Sequence, residues 1–263
     1  MPTLKLKNIE LYYEINGTGE PLLLIPGLAS DSQSWEPIIH DLRKKYCVIT
    51  IDNRGAGRTT PQNEPMTIQN LADDAIALIN HLGFSSVNIL GHSMGGFVAQ
   101  DCAIRYPKYI SKLILVATSS YNSKRNIELF QDWVTYRENN IPIDLWFKNM
   151  FYWIFSKRFF ESKTFLNNAI KYSVEYPYPQ TTIALKNQIN AINKFNCLKD
   201  LSKITAKTLV ISGEEDLLFP YKDNIKQLKR IKNINFSLLK GAAHAIHSEK
   251  PLEFISIIND FLV

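Results

Sequence analysis

The chain has 263 residues, 45% of them hydrophobic and 21% charged, and its formal net charge is +5. That length and apolar content can form one large core with room for an inserted subdomain, and the composition excludes a disordered chain. The three cysteines are widely spaced, so they indicate neither a disulfide framework nor a metal cluster.

The basic residues are scattered except for one run that has no interleaved aromatic residues. A solvated helix face explains such a run better than a nucleic-acid interface, so we expect no nucleic-acid partner. The run consists of Lys222, Lys226, Lys229, Arg230 and Lys232. The N-terminal residues lack the apolar segment of a signal peptide, and no apolar run is long enough to span a bilayer. We therefore expect a cytoplasmic protein with no membrane span.

The chain opens with apolar residues that alternate with polar ones from Leu4 to Ile15 and change phase near Asn8. This alternation predicts an antiparallel hairpin with one buried face. Apolar runs too short for helices then follow at 22–25, 47–51, 87–90 and 110–117. These runs predict buried strands.

Helical patterns lie between the predicted strands. One spans 35–44 with Ser34 as its expected N-cap, and a second begins after Thr67 and stops at Gly83. A third follows the strand at 87–90 and ends before Pro107. Short apolar strands that alternate with helices predict a mainly parallel sheet with helices on both faces.

The alternation of strands and helices breaks between about residue 121 and residue 196, a stretch rich in tryptophan and phenylalanine. An aromatic stripe is usually part of a core. However, an insertion that follows a strand of an α/β sheet lies over the edge where ligands bind. We therefore expect a helical lid at 121–197, inserted into a core formed by 1–120 and 198–263. Its tryptophans Trp133, Trp146 and Trp153 are candidate substrate-binding residues.

The sheet resumes with predicted strands at 208–211 and 234–239, which brings the number of strands to eight. A short amphipathic helix is predicted between them at 224–231. A terminal helix over 252–261 is expected to cover the sheet.

The segment Gly91-His92-Ser93-Met94-Gly95 joins the strand at 87–90 to the helix after it and matches G-x-S-x-G. A strand that turns sharply into a helix strains the residue at the apex, and glycines let the chain pass closely. The apex hydroxyl then lies near the free N–H groups of the helix start. A Gly-rich turn without catalytic function would share these glycines, but the strand and helix on either side favour Ser93 as a nucleophile.

A serine hydroxyl needs a base within hydrogen-bond reach, and the base needs an orienting group. His244 directly follows the last predicted strand and is the favoured base, with His247 as its rival. We interpret His92 as structural, because its place in the turn directs it away from the serine. His40 and His81 fall inside predicted helices.

Asp216 follows a predicted strand and a glycine, and it is the candidate acid that would orient the histidine. Glu214, Glu215 and Asp223 compete for this role, and all four residues also suit solvated loop charges. The order serine, acid, histidine along the chain matches a hydrolase arrangement.

A developing oxyanion needs preorganised N–H donors. Met94 supplies one at the start of the helix. The loop after the strand at 22–25 supplies the second from Leu28, and Gly27 leaves room for its approach.

Five segments of the chain, taken in order, resemble the α/β-hydrolase fold superfamily and its lid-bearing branch of carboxylesterases, enol-lactonases and C–C bond hydrolases. They are PGLAS at 26–30, DNRGAGRT at 52–59, GHSMGG at 91–96, GEEDLLFP at 213–220 and GAAHAIHSEKP at 241–251. The resemblance implies a mostly parallel eight-stranded sheet with helices on both faces and an inserted helical lid. It also implies Ser93 as nucleophile, Asp216 as acid and His244 as base, with oxyanion donors from Leu28 and Met94.

The chain departs from the pattern of this superfamily at two positions. Pro26 stands where a histidine usually precedes the first-loop glycine, and Thr59 stands where a serine often follows the glycine turn. Neither change removes a catalytic group.

The expected activity is hydrolysis of a small, partly apolar ester through an acyl-enzyme, with no cofactor and no metal. A C–C bond hydrolase or a lactonase would use the same three residues. A non-enzymatic receptor on this fold would often lack one of them, so their presence favours an enzyme. The expected partner is a small ester-like molecule, and the expected state is a monomer or a homodimer.

Overall fold

One sheet of eight strands organises the protein, whose computed structural model describes residues 2–263. The strands are β1 Thr3–Lys5, β2 Glu10–Asn16, β3 Glu20–Ile25, β4 Tyr46–Ile51, β5 Val87–His92, β6 Ile110–Val116, β7 Lys207–Gly213 and β8 Ile234–Leu239. Their spatial order is β1-β2-β4-β3-β5-β6-β7-β8. β1 and β2 are antiparallel to their neighbours, and all other pairs are parallel. The predicted fold class is confirmed, including the opening hairpin.

Ten α-helices accompany the sheet within residues 2–263. They are α1 Glu36–Leu42, α2 Ile68–His81, α3 Met94–Arg105, α4 Lys124–Glu138, α5 Ile143–Ile154, α6 Lys163–Val174, α7 Thr182–Lys194, α8 Tyr221–Leu228, α9 Ile246–Glu249 and α10 Pro251–Leu262. Among these residues, none of the helices has the length and apolar character needed to cross a membrane.

The two faces of the sheet bury alternate residues of the same strands. In β3, Leu23 faces one hydrophobic cluster, which includes Phe97 of α3. Its neighbour Leu24 faces a second cluster, which includes Trp35 and Phe254 of α10. Side chains of a strand point alternately to opposite faces, so a strand covered on both sides is apolar at nearly every position. This is why the strands were recognisable as short continuous apolar runs.

Local capping signals were correct for α2 and wrong for α1. The Thr67 hydroxyl accepts from the backbone N of Asn70 at 3.1 Å, and the Asn70 side chain accepts from the backbone N of Thr67 at 3.0 Å. Ser34 was predicted to cap α1, but it lies inside a 3₁₀ turn over Ser32–Trp35. Asp31 caps that turn by accepting from the backbone N of Gln33 at 2.9 Å.

The boundaries of α8 differ from those expected. The helix runs from Tyr221 to Leu228, three residues earlier at each end than the predicted 224–231. The apolar pattern fixed the face of the helix but not its start, which follows directly after Pro220, a residue whose φ of −54° suits a helix N-terminus.

Four helices, α4 to α7, and a 3₁₀ turn at Lys157–Glu161 lie between β6 and β7. The two ends of this segment meet, because Tyr121 and Asn196 form an isolated antiparallel bridge. The backbone N of Cys197 also donates to Ser120 O at 3.0 Å. The segment therefore leaves the sheet and returns to it at one place, after the carboxyl end of β6.

Candidate active site

Ser93 occupies the turn between β5 and α3 with φ 54° and ψ −117°, a conformation that non-glycine residues rarely adopt. The turn is held on both sides. The backbone N of Ser93 donates to Val116 O at 2.9 Å, and the Thr118 hydroxyl donates to Ser93 O at 2.8 Å. Strain of this kind persists only where the surroundings enforce it, and here the neighbouring strand β6 and the loop after it do so.

The glycines around Ser93 are required by close contacts with backbone atoms and with the side chain of Thr118. A Cβ at Gly91 would lie 2.2 Å from Gly95 O, and a Cβ at Gly95 would lie 2.1 Å from Ile25 O. A Cβ at Gly96 would lie 2.5 Å from Cγ2 of Thr118. Side chains at these positions would push the turn away from β3 and β6.

The loop after β3 passes directly against the turn. A Cβ at Gly27 would lie 3.1 Å from Cβ of Ser93. The Asn53 side chain donates to Pro26 O at 3.1 Å and fixes the start of this loop. Leu28 thus follows a residue in contact with Ser93, and Met94 begins α3 next to it. Their role as oxyanion donors stays a prediction.

His244 and Asp216 meet behind the carboxyl ends of β7 and β8. His244 Nδ1 donates to Asp216 Oδ2 at 3.0 Å, and both side chains are buried. The other carboxylate oxygen, Oδ1, accepts from the backbone N–H groups of Leu218 and Phe219 at 2.8 and 2.9 Å. The carboxylate is therefore fixed by its own loop, and it in turn fixes the imidazole.

The competing carboxylates have other partners. Glu214 accepts from the backbone N of Gly241 at 3.0 Å, and Glu215 accepts from the backbone N of Lys157 at 3.1 Å. Asp223 lies exposed in α8. Of the four acidic candidates, the structure brings Asp216 to the His244 ring.

The backbone of His244 is tied to the serine turn through His92. His92 Nε2 donates to His244 O at 2.9 Å, and the two ring centroids are 4.8 Å apart. Within residues 2–263 no hydrogen bond joins the Ser93 hydroxyl to the His244 ring. Hydrogen bonds between catalytic groups often tighten only when substrate binds.

His247, the rival base, lies behind His92 rather than beside Asp216. Its ring centroid is 4.8 Å from that of Trp35 and 4.9 Å from that of His92. Burial, and then the proximity of His244, lower the pKa of His247 to about 3. Burial also lowers the pKa of His92 well below its usual value. Both rings are therefore neutral near pH 7, and the His92 ring, with His247 behind it, packs beside His244 without adding a charge.

The model of the alpha/beta hydrolase fold family matches residues 20–251 of the chain. The chain belongs to the alpha/beta hydrolase fold family. It is 26% identical over 262 residues to a protein of Rhizobium rhizogenes provisionally named carbamate hydrolase RutD, and the match covers 96% of this chain and 97% of the relative. It is 24% identical over 270 residues to the serine hydrolase BPHL of Mus musculus, covering 98% and 84% of the two chains.

Solved structures of an esterase and of an enol-lactonase share the fold of this chain. An esterase from Thermogutta terrifontis superimposes with a TM-score of 0.88 at 24% identity and covers 100% of this chain and 98% of its own. The enol-lactonase from Burkholderia xenovorans superimposes with a TM-score of 0.89 at 23% identity and covers 99% of each chain.

In this hydrolase the inserted segment contacts the loops after β4, β7 and β8, and the last two of these carry Asp216 and His244. The backbone N of Ala245 donates to Ile154 O at 3.0 Å, and the Asn126 side chain donates to Leu218 O at 2.8 Å. The Gln188 side chain donates to Arg54 O at 2.9 Å. The sequence held no signal for these contacts, because each joins residues far apart in the chain.

The three tryptophans named from the sequence lie within the inserted segment. Trp133 and Trp146 are buried against each other, and the indole N–H of Trp146 donates to Trp133 O at 2.9 Å. The indole N–H of Trp133 donates to Asn149 Oδ1 at 3.1 Å. Trp153 is half-buried, with the Arg125 guanidinium 5.6 Å from its ring centroid. Their contact with substrate stays a prediction.

Replacing Gly95 by alanine should lower the free energy of unfolding by about 3 kcal/mol, because its Cβ would overlap Ile25 O and overpack the turn. Gly83→Ala is the matched control, since that Cβ meets no heavy atom within 4 Å and its positive φ costs only about 1 kcal/mol. Urea unfolding of both variants measures the difference. Equal destabilisation would show that the close approach to β3 is not a constraint.

The stability of this hydrolase should fall as the pH falls below about 6.5, where histidines of the unfolded chain take up protons. The folded state cannot protonate His247 until about pH 3, so acid favours unfolding. His247→Gln should therefore give a shallower loss of stability between about pH 6.5 and pH 4.5. Urea unfolding across this range measures the slope, with the exposed His40→Gln as control. If the pH dependence of stability in His247→Gln matched that of the wild type, the lowered pKa of His247 in the folded state would be contradicted.

Proposed function

We propose that this hydrolase cleaves a carboxylic ester of a small, partly apolar substrate through an acyl-enzyme formed on Ser93. The observation that carries the proposal is the His244–Asp216 hydrogen bond at 3.0 Å, held next to a strained serine turn. The backbone of His244 is hydrogen-bonded to His92, the residue before Ser93, which supports the proposal that the imidazole and the hydroxyl act together.

In this mechanism His244 accepts the proton of the Ser93 hydroxyl through Nε2. Nδ1 already donates to Asp216, which fixes the tautomer in which Nε2 is free to accept. The serine oxygen then attacks the ester carbonyl, and Asp216 stabilises the imidazolium that forms.

The carbonyl oxygen becomes an oxyanion in the tetrahedral intermediate. The backbone N–H of Met94, at the start of α3, and that of Leu28, in the loop against Ser93, are the proposed donors. A helix N-terminus favours negative charge, which adds to the effect of the hydrogen bond.

The protonated His244 gives its proton to the leaving alkoxide, and the alcohol departs from the acyl-serine. Water then loses a proton to His244 and attacks the acyl carbonyl. Collapse of the second intermediate releases the carboxylic acid and restores the serine hydroxyl. No cofactor is needed for either half of the cycle.

The inserted segment 121–197 acts in this proposal as a lid over a core formed by 1–120 and 198–263. It is anchored to the loops after β4, β7 and β8 and is rich in aromatic residues, which suits an apolar acyl or alcohol group. Trp133, Trp146 and Trp153 are the proposed aromatic contributors to the pocket.

A second candidate activity is hydrolysis of a carbamate, which is the substrate class in the name of the relative from Rhizobium rhizogenes. Cleavage of a lactone or of a C–C bond would also use Ser93, Asp216 and His244. All these reactions begin with the same attack on a carbonyl, so substrate preference distinguishes them. Comparing kcat/KM for p-nitrophenyl esters of graded acyl length, one lactone, one carbamate and one vinylogous diketone ranks these activities.

Ser93→Ala should lower kcat on p-nitrophenyl acetate by roughly three orders of magnitude or more, because the acyl acceptor is removed. It should also abolish labelling by a fluorophosphonate probe. Ser85→Ala, at an exposed serine, should keep both properties. Full activity in Ser93→Ala would place the site elsewhere, and an unlabelled folded wild type would support a non-enzymatic binding protein.

Asp216→Asn should lower kcat by roughly three orders of magnitude, because an amide can no longer hold the imidazole in the productive tautomer. Glu214→Gln makes the same change of carboxylate to amide two residues away and should retain kcat near the wild-type value. Steady-state kinetics on p-nitrophenyl acetate measures both. A comparable loss in both variants would show a general effect of charge rather than an orienting role.

A further inference from the structure

The backbone around His244 is held at three consecutive residues by groups from outside its own loop or from the following helix. His244 O accepts from His92 at 2.9 Å. On one side, the backbone N of Ala245 donates to Ile154 O at 3.0 Å. On the other side, the backbone N of Ala243 donates to Glu249 Oε2 at 2.8 Å. The first two bonds fix the peptide unit that follows His244, and the third fixes the backbone of Ala243, the residue before it.

Glu249 joins this loop to the inserted segment. Its second carboxylate oxygen, Oε1, accepts from the backbone N of Ser156 at 2.9 Å and from the Ser156 hydroxyl at 2.5 Å. Ser156 lies just after α5, two residues beyond Ile154, whose carbonyl accepts from Ala245. One carboxylate therefore links Ser156 of the inserted segment to Ala243, the residue before His244.

Three N–H and O–H donors, and no ion pair within residues 2–263, surround the Glu249 carboxylate. Its neighbour Lys250 pairs instead with Glu253 at 3.3 Å. Hydrogen bonds to an ionised carboxylate are shorter and about twice as strong as neutral ones. Both carboxylate oxygens of Glu249 accept hydrogen bonds. A side-chain amide of the same size has only one acceptor oxygen, so it cannot replace the carboxylate.

We infer that Glu249 is a positioning residue, which fixes the backbone of His244 and couples its placement to the inserted segment. This inference rests on the proposed function, in which His244 is the base. Asp216 sets the orientation of the ring through Nδ1, whereas Glu249 sets where the main chain presents that ring.

The physical reason is the geometric tolerance of proton transfer. Catalytic groups must be held within about 0.5 Å of their productive positions, and a misplacement of about 1 Å can cost on the order of a hundredfold in rate. In Glu249→Gln the amide oxygen can satisfy one side only. Its NH₂ group would then face the N–H of either Ala243 or Ser156, and that side of the link would break.

Glu249→Gln should lower kcat on p-nitrophenyl acetate at least tenfold while KM changes less than about twofold, because the ester still binds but the base is displaced. Glu253→Gln is the matched control. It makes the same chemical change four residues later at an exposed side chain and should retain the wild-type kcat.

Ser156→Ala is a milder second variant, which removes one donor to Glu249 and keeps the carboxylate. It should lower kcat in the same direction by a smaller factor. If the two residues act through one link, the double variant should be no slower than Glu249→Gln alone. If the two substitutions lowered kcat by independent factors that multiply in the double variant, a link between Glu249 and Ser156 would be contradicted.

The ring of His244 supplies a readout independent of activity. Long-range ¹H–¹⁵N spectra, with the His244 signals assigned by comparison with His244→Gln, should show shifted or broadened ring resonances in Glu249→Gln and unchanged ones in Glu253→Gln. The inference is overturned if either kcat or these resonances remain those of the wild type, even if the melting temperature falls. Should Ser93→Ala keep full activity, the proposed function fails, and the ring resonances alone then decide the role of Glu249.

Discussion

The strained turn at Ser93 is the constraint on which the rest of this hydrolase depends. A serine at φ 54° is stable only because β6 holds its backbone and because glycines let β3 and α3 close around it. The close approach of Gly95 to Ile25 O sets how near the loop after β3 comes to the serine. Ser93, the N-terminus of α3 and the loop after β3 are thus parts of one packed unit.

The parallel sheet brings distant segments to this unit. The strands β3 to β8 all end at one edge, so the loops that follow them converge there. Each loop is then fixed by polar contacts within it or from a neighbour. Asp216 is held by two backbone N–H groups of its own loop, and His244 is held by Asp216, His92 and the bonds at its two neighbours. The inserted segment completes the arrangement, because its hydrogen bonds reach the loops after β4, β7 and β8. The candidate site is built from many modest interactions, which together fix the loops that carry Ser93, Asp216 and His244.

Local features of the fold could be predicted where the physical cause is itself local. Short apolar runs indicated strands buried on both faces, and Thr67 marked the start of α2 because its cap involves a residue three positions away. Gly91 of the serine turn was recognisable for the same reason, because its closest contact is with Gly95, four residues later. Ser34 was wrong as a cap because Asp31, three residues earlier, competes for the same turn. The start of α8 was missed because the apolar pattern fixes a face of a helix and not its end.

The sequence by itself determined that a parallel sheet presents Ser93 at a sharp turn and that an acid and a histidine follow later strands. From the sequence alone, His244 was favoured over His247 as the base, and Asp216 was favoured over three other carboxylates as the acid, but neither choice was decided. The tertiary structure distinguishes these candidates, because His247 packs against Trp35 whereas Asp216 is hydrogen-bonded to His244. Glu249 and its link to Ser156 had no signal in the chain order, since 93 positions separate the two residues. Periodicity and turn chemistry act over a few neighbouring residues, whereas the partner of a polar side chain is decided by which loops the folded sheet brings together.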